Sequence, residues 1–161
     1  MNTKQLLFLL VFAPLIFSCK KNDDYRDAFE GVYDVEVIGF LYLIDADKNT
    51  IPLEPIVYKT PVTVRKLSSR ELAISIESET MTAIVDEDGK LSISPETGVL
   101  PMTDETSIIG VINLTITYTG YITGKILYIK ESYSGTASIT DNGKVLNLDV
   151  GGSAVYNGTK E

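Results

Sequence analysis

Apolar and polar residues change places at nearly every step along this chain. Tyr33, Val35 and Val37 alternate with Asp34 and Glu36, and Leu72, Ile74 and Ile76 with Ala73, Ser75 and Glu77. Ile112, Leu114, Ile116 and Tyr118 alternate with Asn113, Thr115 and Thr117; Leu146, Leu148 and Val150 alternate with Asn147 and Asp149. A period of two marks a strand with one face on a core and the other in water. The pattern predicts about nine strands, near 31–44, 56–66, 70–78, 80–86, 90–94, 108–119, 122–132, 135–140 and 144–158, the last broken at Gly151. One helical turn is expected over "DDYRDAFEG", capped by Asp23 or Asp24 and stopped by Gly31.

Turn chemistry separates the strands. "DEDGK" (Asp86–Lys90) and "DNGK" (Asp141–Lys144) carry Asp-Gly and Asn-Gly pairs, which tolerate the positive φ of tight hairpins. "DADKNT" (Asp45–Thr50) reads as a polar bend, "SPETGVLPMTDET" (Ser94–Thr106) as the longest loop, and "VGGS" (Val150–Ser153) as a bulge or reversal. Pro52, Pro55 and Pro61 put their segment at a sheet edge or a strand start. Successive hairpins make an all-β, antiparallel up-and-down meander. A meander of about eight strands closes into a barrel, because closure removes exposed edges. A two-sheet β-sandwich is the alternative.

The first residues follow another rule. Leu6–Phe17 is apolar all round, preceded by Lys4 and interrupted by Pro14. As a helix it would span about 18 Å, short of a bilayer core of about 30 Å. It reads as an export signal rather than a membrane span. Charge begins directly after Cys19, the only cysteine.

Composition then removes whole classes of chemistry. The 161 residues contain no His and no Trp, and carry a net charge of −8. Without His there is no imidazole ligand and no imidazole general base. The acidic balance repels phosphate backbones, so nucleic acid is not an expected partner. No cofactor is implied, and neither catalytic nor metal-binding residues are assigned. Asp45, Asp47 and Asn49 start like a calcium loop, but Thr50 stands where Gly is needed and Ile56 where a Glu is needed. Glu36, Glu54, Glu77, Glu131 and Asp149 lie inside apolar segments, and the alternation places each on a wet strand face. Of the nine tyrosines, Tyr118, Tyr121, Tyr128 and Tyr133 fall in one stretch, and "KILYIK" is apolar on both faces.

Two resemblances sharpen this reading. "IFSC" (Ile16–Cys19), after a short apolar run and before a polar stretch, resembles the lipoprotein box of bacteria. The resemblance implies that the Cys19 thiol carries a diacylglyceryl group, that the leader is cut just before it, and that the new amino terminus is acylated. More than one acyl chain holds a protein firmly to a membrane. "KKNDDYRD" (Lys20–Asp27) would be the tether, and it resembles the surface-export signal of Bacteroidetes lipoproteins. That implies an outer-membrane lipoprotein of the bacterial envelope, displayed outward. "FEGVYDVEV" (Phe29–Val37) and "YSGTASITDNGKVLNLDVGGSAVYNGTK" (Tyr133–Lys160) resemble the opening and closing segments of calycin-like, lipocalin-like barrels in such lipoproteins.

The expected organisation is a signal peptide over 1–18, a lipid-anchored linker over 19–30 and a barrel over 31–161. The expected function is a binding module for a small apolar or glycan ligand, with Ile112, Leu114, Ile116, Tyr118, Leu146 and Leu148 as contacts; the first three and the two leucines are expected to be buried. The alternative is a structural lipoprotein with a solid core that contacts other envelope proteins. A hydrolase using two acids ranks third.

Overall fold

A computed structural model describes residues 24–160, apart from 54, 104–107 and 142. The expected leader, Cys19 and the start of the expected tether therefore lie outside the described residues. Ten strands follow one 3₁₀ turn, Tyr25–Ala28: β1 (Gly31–Ile44), β2 (Thr50–Pro52), β3 (Ile56–Lys66), β4 (Glu71–Ile76), β5 (Glu79–Val85), β6 (Lys90–Ile93), β7 (Glu96–Thr103), β8 (Ile108–Ile122), β9 (Ile126–Asp141) and β10 (Lys144–Lys160). β1, β3, β4, β5, β6, β8, β9 and β10 pair in that order, and β10 pairs back to β1. The result is a closed antiparallel barrel of eight strands, calycin-like, with β2 and β7 added outside the ring on β1 and β8.

The wall is uneven. β8 and β9 run in unbroken register from Gly110↔Ile139 to Ile122↔Leu127, and β9 and β10 from Lys144↔Asp141 to Thr159↔Ile126. On the opposite side β6 holds β8 only through Lys90↔Tyr121 and Leu91↔Gly120. Its ladder to β5 stops at Ala83↔Ile93, two residues before Pro95, which has no N–H to continue a ladder. The chain then swings onto β8 as β7. Among the described residues, the first half of β5 is paired to β4 alone, and β7 to β8 alone. Two strand edges thus face each other across a slot in the wall.

The inward phase is the one the alternation predicts. Tyr33, Val35, Val37, Val62, Val64, Leu72 and Ile74 fill the barrel, each at most 2% exposed. The end where the chain enters is sealed. Phe29 packs into the core, and Tyr25 meets it edge-on with ring centroids 5.9 Å apart. The Asp24 side chain accepts from the Arg26 N–H, capping the turn. The Tyr33 hydroxyl donates to Phe29 O at 2.9 Å, and Tyr25 to Val85 O at 3.1 Å. Gly89, with φ +81°, tucks the β5–β6 turn under Ile122, whose N–H donates to its carbonyl at 2.7 Å; a Cβ there would lie 1.9 Å from Ile122 O. Tyr25, Arg26 and Phe29 thus pack against the barrel end, with Asp27 and Ala28 exposed.

Several expectations need correction. Ser94–Thr106 is not a loop: β7 occupies most of it, and Pro101 is accommodated because β7 is an edge. Thr50–Pro52, by contrast, forms a short edge strand on β1, as the prolines of that segment predict. The expected break before 135 is absent. Gly135 sits mid-strand in β9, where a Cβ would come within 1.9 Å of Asn113 O, so this glycine serves close strand approach rather than a turn. The reversal falls instead at Thr123–Lys125. β10 also runs through Gly151 without a break, with the Tyr42 ring lying over that glycine. Glu77 is a turn residue with φ 53°, not a strand residue.

Candidate ligand-binding cup

Opposite the sealed end the barrel is hollow. A cavity of about 640 Å³ lies among β1, β3, β4, β5, β7, β8, β9 and β10. Its floor is the closed-end core; its side reaches the slot between β5 and β7, where Glu79 and Met81 face Glu96 and Leu100. Ile56, Ile76, Leu114 and Ile116 give it apolar walls. Tyr58, Tyr118, Tyr133 and Tyr156 bring four phenol rings into it.

One carboxylate sits among those rings. Glu131 is on β9 in the same phase as Leu127, Ile129 and Tyr133, and it is only 7% exposed. The Tyr133 hydroxyl donates to it. The Tyr156 hydroxyl bears on it too, and on Tyr58. Burial pushes the Glu131 carboxyl above the ordinary range; the two tyrosine hydroxyls pull it back, and Glu96 and Glu79 push it further up. Burial likewise pushes Tyr118, Tyr133 and Tyr156 above the usual phenol range, and the neighbouring carboxylates add to the effect. Tyr118 donates to Glu96 at 3.2 Å across the slot. Glu77 and Glu79 stand exposed at the rim. Among the described residues, no Lys or Arg lines the cavity.

The expected contacts divide. Leu114, Ile116 and Tyr118 line the cavity. Leu114 is buried as expected, and Ile116 is half-buried because it faces open space. Ile112 is buried but belongs to a second small core with Leu43, Ala137 and Val150, beyond the cavity. Leu148 packs at the edge of that second core, half-buried. The expectation that Leu146 is buried fails: it is 44% exposed. It keeps the inward phase, but β10 extends past the end of β1, whose last partner is Asp149, so nothing covers it from that side.

Glu131 departs in the other direction: expected on a wet face, it is buried and lines the cup. The flanking "KILYIK" is apolar on both faces, which hides the phase; Tyr133 two residues on would have supplied it. Glu36 and Asp149 do lie on the outer face, and Glu54 lies outside the described residues. Of the tyrosine cluster, Tyr118 and Tyr133 point inward, while Tyr121 and Tyr128 stack outside with centroids 5.2 Å apart. At "DADKN" the Asp45 carboxylate accepts from the Asn49 backbone and side chain, both at 2.8 Å, which makes the segment a self-contained turn.

No family model matches the chain, and no curated protein matches it.

Proposed function

We propose that this chain is a lipid-anchored protein of the bacterial envelope whose barrel binds a small ligand in its open cup. The cavity carries the reading. A barrel of eight strands can be just filled by its own side chains or hold one small ligand. Here about 640 Å³ is left open, within the range of small-molecule sites of about 300–1,000 Å³. Apolar walls with a few convergent polar groups are what such sites use to bury and orient a ligand. The "IFSC" motif supports attachment through Cys19, with the cup held outside the cytoplasm.

The test uses the protein purified from its own cells. Mass spectrometry of its N-terminus reads the anchor: acylated Cys19 supports it, and a chain beginning at Met1 with a free thiol overturns it. Titration with amphiphiles that share an eight-carbon tail, below their micelle thresholds, reads the cup. Saturable NMR shifts at Leu114, Ile116 and Tyr118 support binding there; no saturable shift with any of them overturns it.

The alternative role, docking to another envelope protein, draws on the outer wall. Ile38, Phe40 and Val57 are 54%, 53% and 64% exposed, and Ile38 sits directly opposite Val57 in the β1–β3 ladder. An outer apolar face and a hollow interior are compatible with each other.

A further inference from the structure

We propose that the cup selects an amphiphilic organic cation, an alkyl ammonium group carried on an apolar tail. This rests on the binding role proposed above and names the ligand class. The argument is one of donors and acceptors. An ionised carboxylate only accepts hydrogen bonds, and a tyrosine hydroxyl that donates to a carboxylate keeps only acceptor capacity. Tyr133 has donated to Glu131 and Tyr118 to Glu96, so those hydroxyls have no proton left to offer a ligand. The remaining hydroxyls of the lining are Ser78 and Thr80 at the rim and Tyr58 and Tyr156 within; Thr80 shares a 2.9 Å hydrogen bond with Ser75 in which either can donate, so it is charge that separates a cation from a neutral ligand.

Charge points the same way. Glu131 is buried with hydroxyl partners but no cationic partner among the described residues, and Glu77, Glu79 and Glu96 ring the opening. An anionic ligand meets only like charge. An ammonium group supplies the missing counter-charge, and phenol rings around it add the attraction of a cation for an aromatic face. The tail has Ile56, Ile76 and Ile116 to lie against.

Binding a cation beside Glu131 favours its ionised form. Uptake of the ligand therefore releases a proton wherever the empty cup holds Glu131 protonated, and affinity falls in acid. The titratable groups that share the cup with Glu131 are Tyr133 on its own strand, Tyr156 on β10, Tyr118 on β8, Tyr58 on β3, Glu96 on β7, Glu79 on β5 and Glu77 in the β4–β5 turn.

The experiment compares octylammonium, which carries both the positive charge and three N–H donors, with octyl β-glucoside and octanoate on the full chain by calorimetry. The cation is expected to bind at least about tenfold more tightly than either of the others, about 1.4 kcal/mol. Glu131→Gln and, separately, the exposed Glu96→Gln are each expected to shrink that preference, with the glucoside affinity little changed. If the glucoside or octanoate binds as tightly as the cation, the cup still binds ligands but the cation assignment falls. If the preference survives both substitutions, the carboxylates do not set it and the assignment falls as well. If none of the three binds, the binding role itself fails.

Discussion

At one end of the barrel Tyr33, Leu72, Ile122 and Leu127 have no exposure at all, while further along the same wall Ile116, Tyr118 and Tyr133 border open space. The strands and the inward phase are the same. The difference lies in what covers them. At the closed end the Tyr25–Ala28 turn, Phe29 and the Gly89 turn are drawn over the barrel mouth by hydrogen bonds to Val85, Tyr33 and Ile122. At the open end Pro95 parts β6 from β7, and tyrosines and a glutamate stand where aliphatic residues would fill the core. Stability sits at one end, and recognition is proposed at the other.

The contrast is broken most strongly by truncating each end in turn. Leu127→Ala removes a side chain with no exposure, and should cost about 2–5 kcal/mol in denaturant unfolding. Ile116→Ala, half-buried beside the cavity, should cost about 1 kcal/mol or less, because its methyls already lack partners on one side. Equal losses would remove the distinction between the ends. Gly135→Ala drives a Cβ into the Asn113 carbonyl of the continuous wall, and overpacking of that kind costs about 1–3 kcal/mol. Thermal melting reads it directly.

The two ends should also answer pH with opposite signs. Glu131 has a raised pKa in the folded state, so the native protein binds that proton more tightly than the unfolded chain. Its contribution is fully present below the unfolded value, about 4.3, and is lost as pH rises through the folded value. Glu131→Gln should therefore flatten the loss of stability on the alkaline side of about pH 4. Asp24 is held down to about 2, chiefly by its hydrogen bond with Arg26. Its contribution is present above about 3.9 and is lost as pH falls towards about 2. Asp24→Asn should remove part of the acid sensitivity and leave the Glu131 effect in place. Denaturant midpoints from pH 2 to 8 for the two variants separate the ends. The smallest effect belongs to Glu77→Gly, which relieves a φ of 53° in the β4–β5 turn and should change stability by under about 1 kcal/mol.

Most of the barrel was legible from the period of two, because a strand half in a core writes its phase into its side chains. Tyr33–Val37, Leu72–Ile76 and Ile112–Leu114 all landed inward. What escaped was structure governed by neighbours rather than by local pattern. Pro95 and Pro101 make β7 look like a loop, and only its place at an edge lets it be a strand. Gly135 looks like a turn until the Asn113 carbonyl is seen against it. Leu146 has the inward phase but overhangs the end of β1. The cup was half legible: Leu114, Ile116 and Tyr118 carry the alternation, while Glu131 is hidden by a segment apolar on both faces and is betrayed only by the phase of Tyr133. That same exception to pattern is what gives the cup its chemistry.

The most direct test watches one methyl at each end while a ligand is added. In a titration with octylammonium, the Ile116 methyl resonances should move saturably and those of Ile122, fully buried at the closed end, should stay in place. Saturable movement of Ile122 with Ile116 unmoved, or no movement of either with this cation and with octyl β-glucoside, would contradict a barrel that is sealed at one end and receptive at the other.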